Sequence, residues 1–249
     1  MFDIAIVGGM GPAATAELFR RIVLYTFSEK DQDHIKICIF NNPTIPDRTD
    51  FILNNGESPL PAIMNEIYNA ITIHCEYFAI PCNTSHYFYE VYESVPGIKF
   101  INMIKETCKY ANSIYPNRKI CVLATYGTIQ GDIYRNNAFN SNDIVYPSEG
   151  INKLIMSIIR LIKGGNTDFV TLAKDVMKAI SKEFSFDDTV FILACTELSF
   201  LLPYMTGEFI DAMDVLAGVI IAKCGKIINK NSFRLPINYF LDNYNKRLK

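Results

Sequence analysis

Two cysteines stand at the ends of apolar, strand-like runs. Cys82 lies in the segment FAIPCNT and Cys195 in the segment FILACTE, so each thiol is followed at once by polar residues. The ordinary pKa of a cysteine is about 8.5, and a cysteine can therefore act as a thiolate base or as a thiol acid. Two such groups on opposite faces of a small ligand could remove a proton from the carbon beside a carboxylate and return one to the other face. That chemistry inverts a stereocentre without a cofactor.

The carbanion in such a reaction needs hydrogen-bond donors around the carboxylate, where the charge develops. Side chains of the right type follow the predicted strand ends: Asn83, Thr84, Thr125, Thr128 and Thr196. Arg48, in the loop IPDRT, could bind a second carboxylate through two parallel hydrogen bonds. Lys163, at the end of a predicted helix, could serve as a second cation. His86 could tune the Cys82 thiolate, and Glu197 stands beside Cys195 as a further supporting residue.

Strand-like and helix-like segments alternate along the chain. DIAIVG leads through glycines into the helical pattern AATAELFRRIVLYTF, and IKICIFNN, PLPAIMNEIYNAITIHC and YFAIPCN continue the alternation. Pro12 suits a helix start because its ring fixes φ and it lacks a donor. Strands that alternate with helices predict a mostly parallel sheet covered on both faces.

The same order then appears a second time. RKICVLATYGT predicts a strand that ends in a turn, INKLIMSIIRLIK a helix that stops at Gly164 and Gly165, and DTVFILACTE the strand before the second cysteine. The two cysteines and the two opening strands are separated by nearly the same number of residues, which indicates an internal duplication. We expect two pseudosymmetric α/β domains, 1–98 plus 208–249 and 99–207. Ligands of open α/β sheets bind beyond the carboxyl ends of the strands, so both thiols should face one cleft between the domains.

Composition and charge exclude several classes of protein. The chain has 249 residues, 49% of them hydrophobic, with a formal net charge of −2, so nothing favours binding to nucleic acid or to an anionic membrane. The N-terminal segment lacks the basic and long apolar regions of a signal peptide. Seven cysteines, an odd number with no CxxC pair, indicate neither a disulfide framework nor a metal site. We therefore expect a cytoplasmic protein without a metal.

The glycines after the first strand allow another interpretation. Gly9, Gly11 and Ala14 have the spacing of a dinucleotide-binding fingerprint. The acidic residue that should follow the second strand is missing, because CIFNNP ends that strand with two asparagines. Close approach of the backbone to a carboxylate is the better explanation of these glycines.

The chain resembles the aspartate/glutamate racemase family, whose members work without pyridoxal phosphate. The motifs that carry the resemblance span most of the chain in family order: GGMGPAAT (8–15), IPDRT (45–49), PCNTSH (81–86), LATYGT (123–128) and ACTE (194–197). The chain departs from the usual pattern at Ala194, where glycine is more common. It also lacks a histidine that follows Asp211 in many relatives.

The resemblance implies a cofactor-independent racemase of aspartate, glutamate or both, often a homodimer, with Cys82 and Cys195 as catalytic acid and base. It further implies that the asparagine and threonines bind the α-carboxylate and amino group, that Arg48 meets the side-chain carboxylate, and that Met10 and Gly11 lie along the cleft. Lys163 is matched to the family's cleft lysine. Two alternatives stay open: a two-cysteine isomerase or decarboxylase of a non-amino dicarboxylate such as maleate, and a dicarboxylate-binding protein without turnover.

Overall fold

Two parallel sheets of identical strand order form the framework of the molecule. The computed structural model describes residues 1–137 and 143–244, without the side chain of residue 143. Within these ranges the first sheet has the order β2-β1-β3-β4 and the second has the order β6-β5-β7-β8, with every pair parallel. The strands are β1 (Phe2–Gly8), β2 (Ile37–Asn41), β3 (Cys75–Ala79), β4 (Lys99–Ile101), β5 (Lys119–Ala124), β6 (Asp143–Val145), β7 (Thr189–Ala194) and β8 (Phe209–Asp211). The predicted fold class, two pseudosymmetric parallel α/β units, is confirmed.

Helices alternate with these strands and cover the sheets. They are α1 (Pro12–Tyr25), α2 (Arg48–Asn54), α3 (Leu60–Thr72), α4 (Tyr89–Glu93), α5 (Met103–Ile114), α6 (Tyr126–Gln130), α7 (Ile133–Asn137), α8 (Glu149–Lys163), α9 (Phe169–Ile180), α10 (Ala212–Lys223) and α11 (Ile237–Tyr244). Short 3-10 segments lie at Asp31–Asp33, Thr84–Phe88 and Leu198–Tyr204. No helix in the described part of the chain is long and apolar enough to cross a membrane.

The central strands are apolar along almost their whole length because helices cover both faces of each sheet. All six residues of β7 are buried, and so are the last five residues of β1. Polar residues begin where these strands end. The sequence therefore places its reactive side chains at one edge of each sheet, and the body of the sheet holds them there.

Strand pairing differs from the predicted domain boundaries at two points. β4 pairs with β3 in the first sheet although the boundary at 98/99 assigns it to the second domain. β8 pairs with β7 in the second sheet although the boundary at 207/208 assigns it to the first. A strand of three residues carries almost no periodic signal, so only its hydrogen bonds show which sheet it joins. The division into two domains stays a prediction.

Helix α10 lies in the middle of the molecule. Every residue from Ala212 to Ala222 is buried, as expected for a helix that is apolar on all sides. It packs against α1, α5 and α11, so it joins helices from the first, middle and last parts of the chain. One carboxylate, Asp214, is buried in this helix.

Candidate active site

One cleft lies at the carboxyl ends of the central strands of both sheets. Its volume is about 30 Å³. That is well below the range of about 300–1,000 Å³ for the pockets of drug-sized ligands, so the cleft suits only a small molecule. The lining residues are Met10, Asp47, Arg48, Thr49, Cys82, Asn83, Thr84, Thr125, Lys163, Ala194, Cys195, Thr196 and Glu197.

Cys195 is joined directly to a carboxylate. Its Sγ donates a hydrogen bond to Oε2 of Glu197 at 3.0 Å, and the hydroxyl of Thr196 donates to the same oxygen at 3.3 Å. Burial raises the pKa of Cys195 well above its ordinary value, and the Glu197 charge raises it further, whereas Lys163 lowers it. Cys195 therefore holds its proton in the free protein, and Glu197 is placed to accept that proton.

Lys163 carries a positive charge near this carboxylate and near both thiols. Its Nζ lies 3.9 Å from the other oxygen of Glu197, at the C-terminal residue of α8. Burial by itself lowers the pKa of Lys163, but the charges of Glu197, Cys195 and Cys82 outweigh this and raise it. The ammonium is therefore charged, and it lies within electrostatic reach of both cysteines.

Cys82 is held in a different way. Its backbone carbonyl accepts hydrogen bonds from Oγ of Ser85 at 2.8 Å and from Nδ1 of His86 at 2.9 Å. Nε2 of His86 accepts from the backbone N–H of Met103 at 3.1 Å. Burial lowers the pKa of His86 to about 4, so the ring is neutral near pH 7. His86 thus fixes the main chain at Cys82, and its two nitrogens are used by backbone groups and not by the thiol.

Three threonine hydroxyls from both halves of the chain meet beside the thiols. Oγ1 of Thr84 lies 2.9 Å from that of Thr125 and 3.0 Å from that of Thr128, and the last two are 3.1 Å apart. Thr125 also caps α6. Thr84 and Thr125 line the cleft, whereas Thr128 is fully buried behind them. Thr128 therefore orients the two hydroxyls that can reach a ligand.

Two buried donors in the cleft lack a partner. Nε of Arg48 and Nδ2 of Asn83 have no hydrogen-bond partner among the described residues. The other nitrogens of Arg48 donate to the carbonyls of Ile45, Pro46 and Met10 at 3.0–3.4 Å, and Oδ1 of Asn83 accepts from the hydroxyl of Tyr134 at 2.7 Å. Buried donors are normally satisfied, so this side of the cleft is suited to an acceptor such as a carboxylate.

The turn between β1 and α1 closes the cleft. Met10 lines it, and a Cβ at Gly11 would lie 3.5 Å from Oε1 of Glu197. Gly9 has φ +97°, and a Cβ there would lie 2.2 Å from the backbone of Asn42. The sequence predicts that these glycines let the backbone approach a carboxylate. At Gly9 the close approach is to the backbone of Asn42, directly after β2.

The structure brings most of the predicted residues together. Those that line the cleft are Cys82, Cys195, Met10, Arg48, Asn83, Thr84, Thr125, Lys163, Thr196 and Glu197. Gly11, Thr128 and His86 do not line the cleft. Thr128 and His86 form hydrogen bonds with lining residues, and a side chain at Gly11 would approach Glu197.

The sequence analysis missed Asp47 and Thr49, although the motif IPDRT contains both. Tyr134 was missed because nothing in its own segment relates it to Asn83. Among the described residues, no group of three or more His, Cys, Asp and Glu side chains could hold a metal ion.

The chain is similar to known racemases over most of its length. The model of the Asp/Glu/hydantoin racemase family matches residues 7–221. The broad specificity amino-acid racemase RacX of Bacillus subtilis is 27% identical over 220 residues, which cover 86% of this chain and 94% of that protein. These matches identify the class of the protein, which is an isomerase. The chain belongs to the Asp/Glu/hydantoin racemase family and is an amino-acid racemase.

Solved structures agree with this assignment. The aspartate racemase of Picrophilus torridus superposes with a TM-score of 0.79 at 28% identity, over 92% of this chain and 96% of that one. The glutamate racemase of Campylobacter jejuni superposes with a TM-score of 0.61 at 14% identity, over 98% of each chain. At that low identity the second structure shows a shared fold alone.

Proposed function

We propose that this racemase inverts aspartate, glutamate or both by a two-base mechanism in which Cys82 and Cys195 act from opposite sides. The observation that carries the proposal is the shared cleft: thiols from corresponding strand ends of the two sheets line one small cavity. The chemistry needs no electron sink beyond the hydrogen bonds that the cleft supplies.

In one direction Cys195 is the base. Its proton moves to Glu197, the resulting thiolate takes the α-proton of the substrate, and the C–H electron pair stays on the α-carbon and its carboxylate. The thiol of Cys82 then gives its proton to the opposite face. In the other direction the Cys82 thiolate left by that step removes the α-proton, the thiol of Cys195 supplies the new one, and Cys195 regains its proton from Glu197.

The rest of the cleft binds charge. The free amide N–H of Asn83 and the hydroxyls of Thr84 and Thr125 are suited to the α-carboxylate, where negative charge develops. Arg48 is suited to the side-chain carboxylate, which its unpaired Nε can bind. Lys163 adds a positive charge beside Glu197, which limits repulsion between that carboxylate and the substrate.

The test is incubation of the protein in D2O with each enantiomer of aspartate and glutamate, without added pyridoxal phosphate. We expect deuterium in the inverted product before it appears in the remaining substrate, because each face has its own base. Cys82→Ala and Cys195→Ala should each abolish racemisation.

Cys75→Ala is the matched control, since it removes a buried thiol from the strand that leads to Cys82 but lies outside the cleft. Racemisation that survives either cleft variant would refute the two-base mechanism. Turnover of maleate and of none of the four amino-acid enantiomers would indicate the dicarboxylate isomerase instead. Binding of these acids without α-proton exchange would indicate a binding protein.

We also propose a cytoplasmic homodimer. The seven cysteines are all free, which supports a reducing compartment. Large apolar side chains on and after α1 are 40–48% exposed: Phe19, Val23, Leu24, Phe27 and the neighbouring Ile227. An apolar patch of this kind is typical of an interface. Light scattering should give the mass of a dimer for the wild type and of a monomer for Val23→Asp. A monomeric wild type would refute the proposal.

A further inference from the structure

A buried ionic cluster lies outside the cleft, between α1 and α10. We call Arg21, Tyr25, Ser199, Asp211 and Asp214 the Arg21 cluster. Each of these residues is at most 1% exposed. Nη1 of Arg21 donates to Asp211 at 2.5 Å and to Asp214 at 2.7 Å, and the hydroxyl of Tyr25 donates to Asp214 at 2.7 Å.

Burying this much charge is a poor way to stabilise a fold, because desolvation can cost more than the ion pairs return. The charges of the cluster also do not balance: two carboxylates share one guanidinium, and one oxygen of Asp214 has no hydrogen-bond partner in the described ranges. Glu17 adds a third carboxylate, at 2.8 Å from Nε of Arg21, and its second partner is Arg20 at 2.7 Å. A role in geometry therefore explains the cluster better than a role in stability.

Ser199 connects the cluster to the turn of Cys195. Its hydroxyl donates to Oδ1 of Asp211 at 2.7 Å. It belongs to the 3-10 segment that follows the turn, and its two neighbours are bonded back to that turn: Leu198 N–H donates to the carbonyl of Cys195 at 2.9 Å, and Phe200 N–H donates to that of Glu197 at 3.3 Å. A shift of Ser199 would therefore shift the thiol and its carboxylate together.

The Arg21 cluster contacts the chain segments on both sides of Glu197. Asp211 is fixed by the backbone N–H of Met213 at the start of α10 and by Arg21 of α1. Helix α1 begins directly after Gly11, and Gly11 faces the carboxylate of Glu197. The Arg21 cluster thus joins α1, which begins close to Glu197, to the 3-10 segment that follows Cys195.

Cys82 has no such connection. Ser85 and His86 anchor its turn on its own carbonyl. Neither residue contacts the Arg21 cluster through any hydrogen bond found in the described part of the chain. A defect in the cluster should therefore affect the two thiols unequally.

We propose that Ser199, held through Asp211 by Arg21, is a positioning residue for Cys195 and Glu197. The proposal rests on the two-base function proposed above. It assigns the cluster to one of the two proton transfers, the one at Cys195.

The rate of racemisation cannot separate the two thiols, because both take part in each inversion. An aspartate with chlorine on the β-carbon separates them. After one base removes the α-proton, the electron pair forms a C=C bond and chloride leaves, so the loss of HCl needs a single base. Chloride release from each enantiomer of 3-chloroaspartate therefore reports one thiol at a time. Cys82→Ala and Cys195→Ala identify which enantiomer belongs to which thiol.

We expect Ser199→Ala to lower chloride release about tenfold for the enantiomer assigned to Cys195, because small displacements of a catalytic group are costly. Release from the other enantiomer should change less than about twofold, and Ser199→Thr should restore the first rate because it restores the hydroxyl. Thr107→Val is the control for stability: it removes another fully buried hydroxyl bond, at 2.7 Å to the carbonyl of Met103 within α5, which makes no contact with the Arg21 cluster through any hydrogen bond found among the described residues.

The possible outcomes separate the two proposals. If neither cysteine variant removes elimination from a single enantiomer, the two-base function fails. If the cysteine variants behave as expected but Ser199→Ala lowers both eliminations equally, or neither of them, the positioning proposal alone is overturned. A loss of melting temperature equal to that of Thr107→Val, with unequal elimination rates, supports it.

Discussion

The turns that carry Cys82 and Cys195 occupy corresponding places in two sheets of the same strand order, yet their surroundings are unlike. Cys195 donates to Glu197 at 3.0 Å and is tied through Ser199 to a buried ionic cluster. Cys82 is bordered by the amide of Asn83, and its turn is anchored by a neutral histidine and a serine. Equal positions in a duplicated fold thus place the thiols, and different neighbours give them unlike surroundings.

The largest effect should come from the carboxylate that only one thiol possesses. Glu197→Gln keeps the size and an acceptor oxygen but cannot take the thiol proton. We expect chloride release from the Cys195 enantiomer of 3-chloroaspartate to fall by about 10²–10⁴, the usual contribution of a general base. The other enantiomer should lose less than about tenfold, through the altered charge of the cleft alone.

Glu106→Gln is the matched control, because Glu106 is also buried but lies on α5, where it contacts Tyr244. That variant should keep both eliminations. An equal loss from both enantiomers in Glu197→Gln would mean that the carboxylate serves the whole cleft and that the contrast between the thiols is wrong.

A smaller effect should arise at Arg48. This residue belongs to the first half of the chain, but in the proposed mechanism it binds the substrate in both directions of racemisation. Arg48→Lys keeps the charge and loses the paired geometry, so kcat/KM for the acidic substrate should fall by about 10- to 100-fold, the equivalent of one charge-assisted hydrogen bond. Because the residue binds substrate and does not move protons, the loss should be equal for both enantiomers of 3-chloroaspartate. Steady-state kinetics with each enantiomer would test this, and an unequal loss would count against the assignment. Arg135→Lys, on α7, is the control.

The smallest effects concern pH and stability, where the two halves should have opposite signs. Burial lowers the pKa of His86 to about 4, below its unfolded value, so its contribution is present above about pH 6.5 and is lost as the pH falls through 4. Burial and then Asp211 raise the pKa of Asp214 to about 6, above its unfolded value, so its contribution is present below about pH 4 and is lost as the pH rises through 6.

Melting temperatures between pH 4 and pH 7 would measure both slopes. Relative to the wild type, His86→Gln should lose least at acid pH, and Asp214→Asn should lose most there, because the wild type is then stabilised by the proton on Asp214. Parallel pH profiles for the two variants would contradict the assigned pKa directions.

Much of this architecture was predictable from short-range patterns. Helix α8 stops before Gly164 and α1 starts at Pro12. The strand before Cys195 is buried along its whole length, and the strand before Cys82 ends in buried apolar residues. Since parallel strands bring their carboxyl ends to one edge, the position of each thiol beside its polar neighbours was also predictable, and the internal duplication predicted that both thiols would face one cleft. Strands β4 and β8 join sheets on the other side of the predicted domain boundaries, because three residues hold too little pattern to identify a partner.

By itself, then, the sequence determined the type of fold, the two thiol turns and the polar residues beside them, because each depends on residues close together in the chain. Tertiary structure alone decided what surrounds each thiol. Arg21 and Asp211 are 190 residues apart, and Tyr134 and Asn83 are 51 apart. The hydroxyls of Thr84 and Thr125 belong to residues that follow strands of separate sheets. No local preference relates such residues. They meet because tertiary packing brings their elements together, and the buried polar groups must then find partners among whatever side chains are within reach.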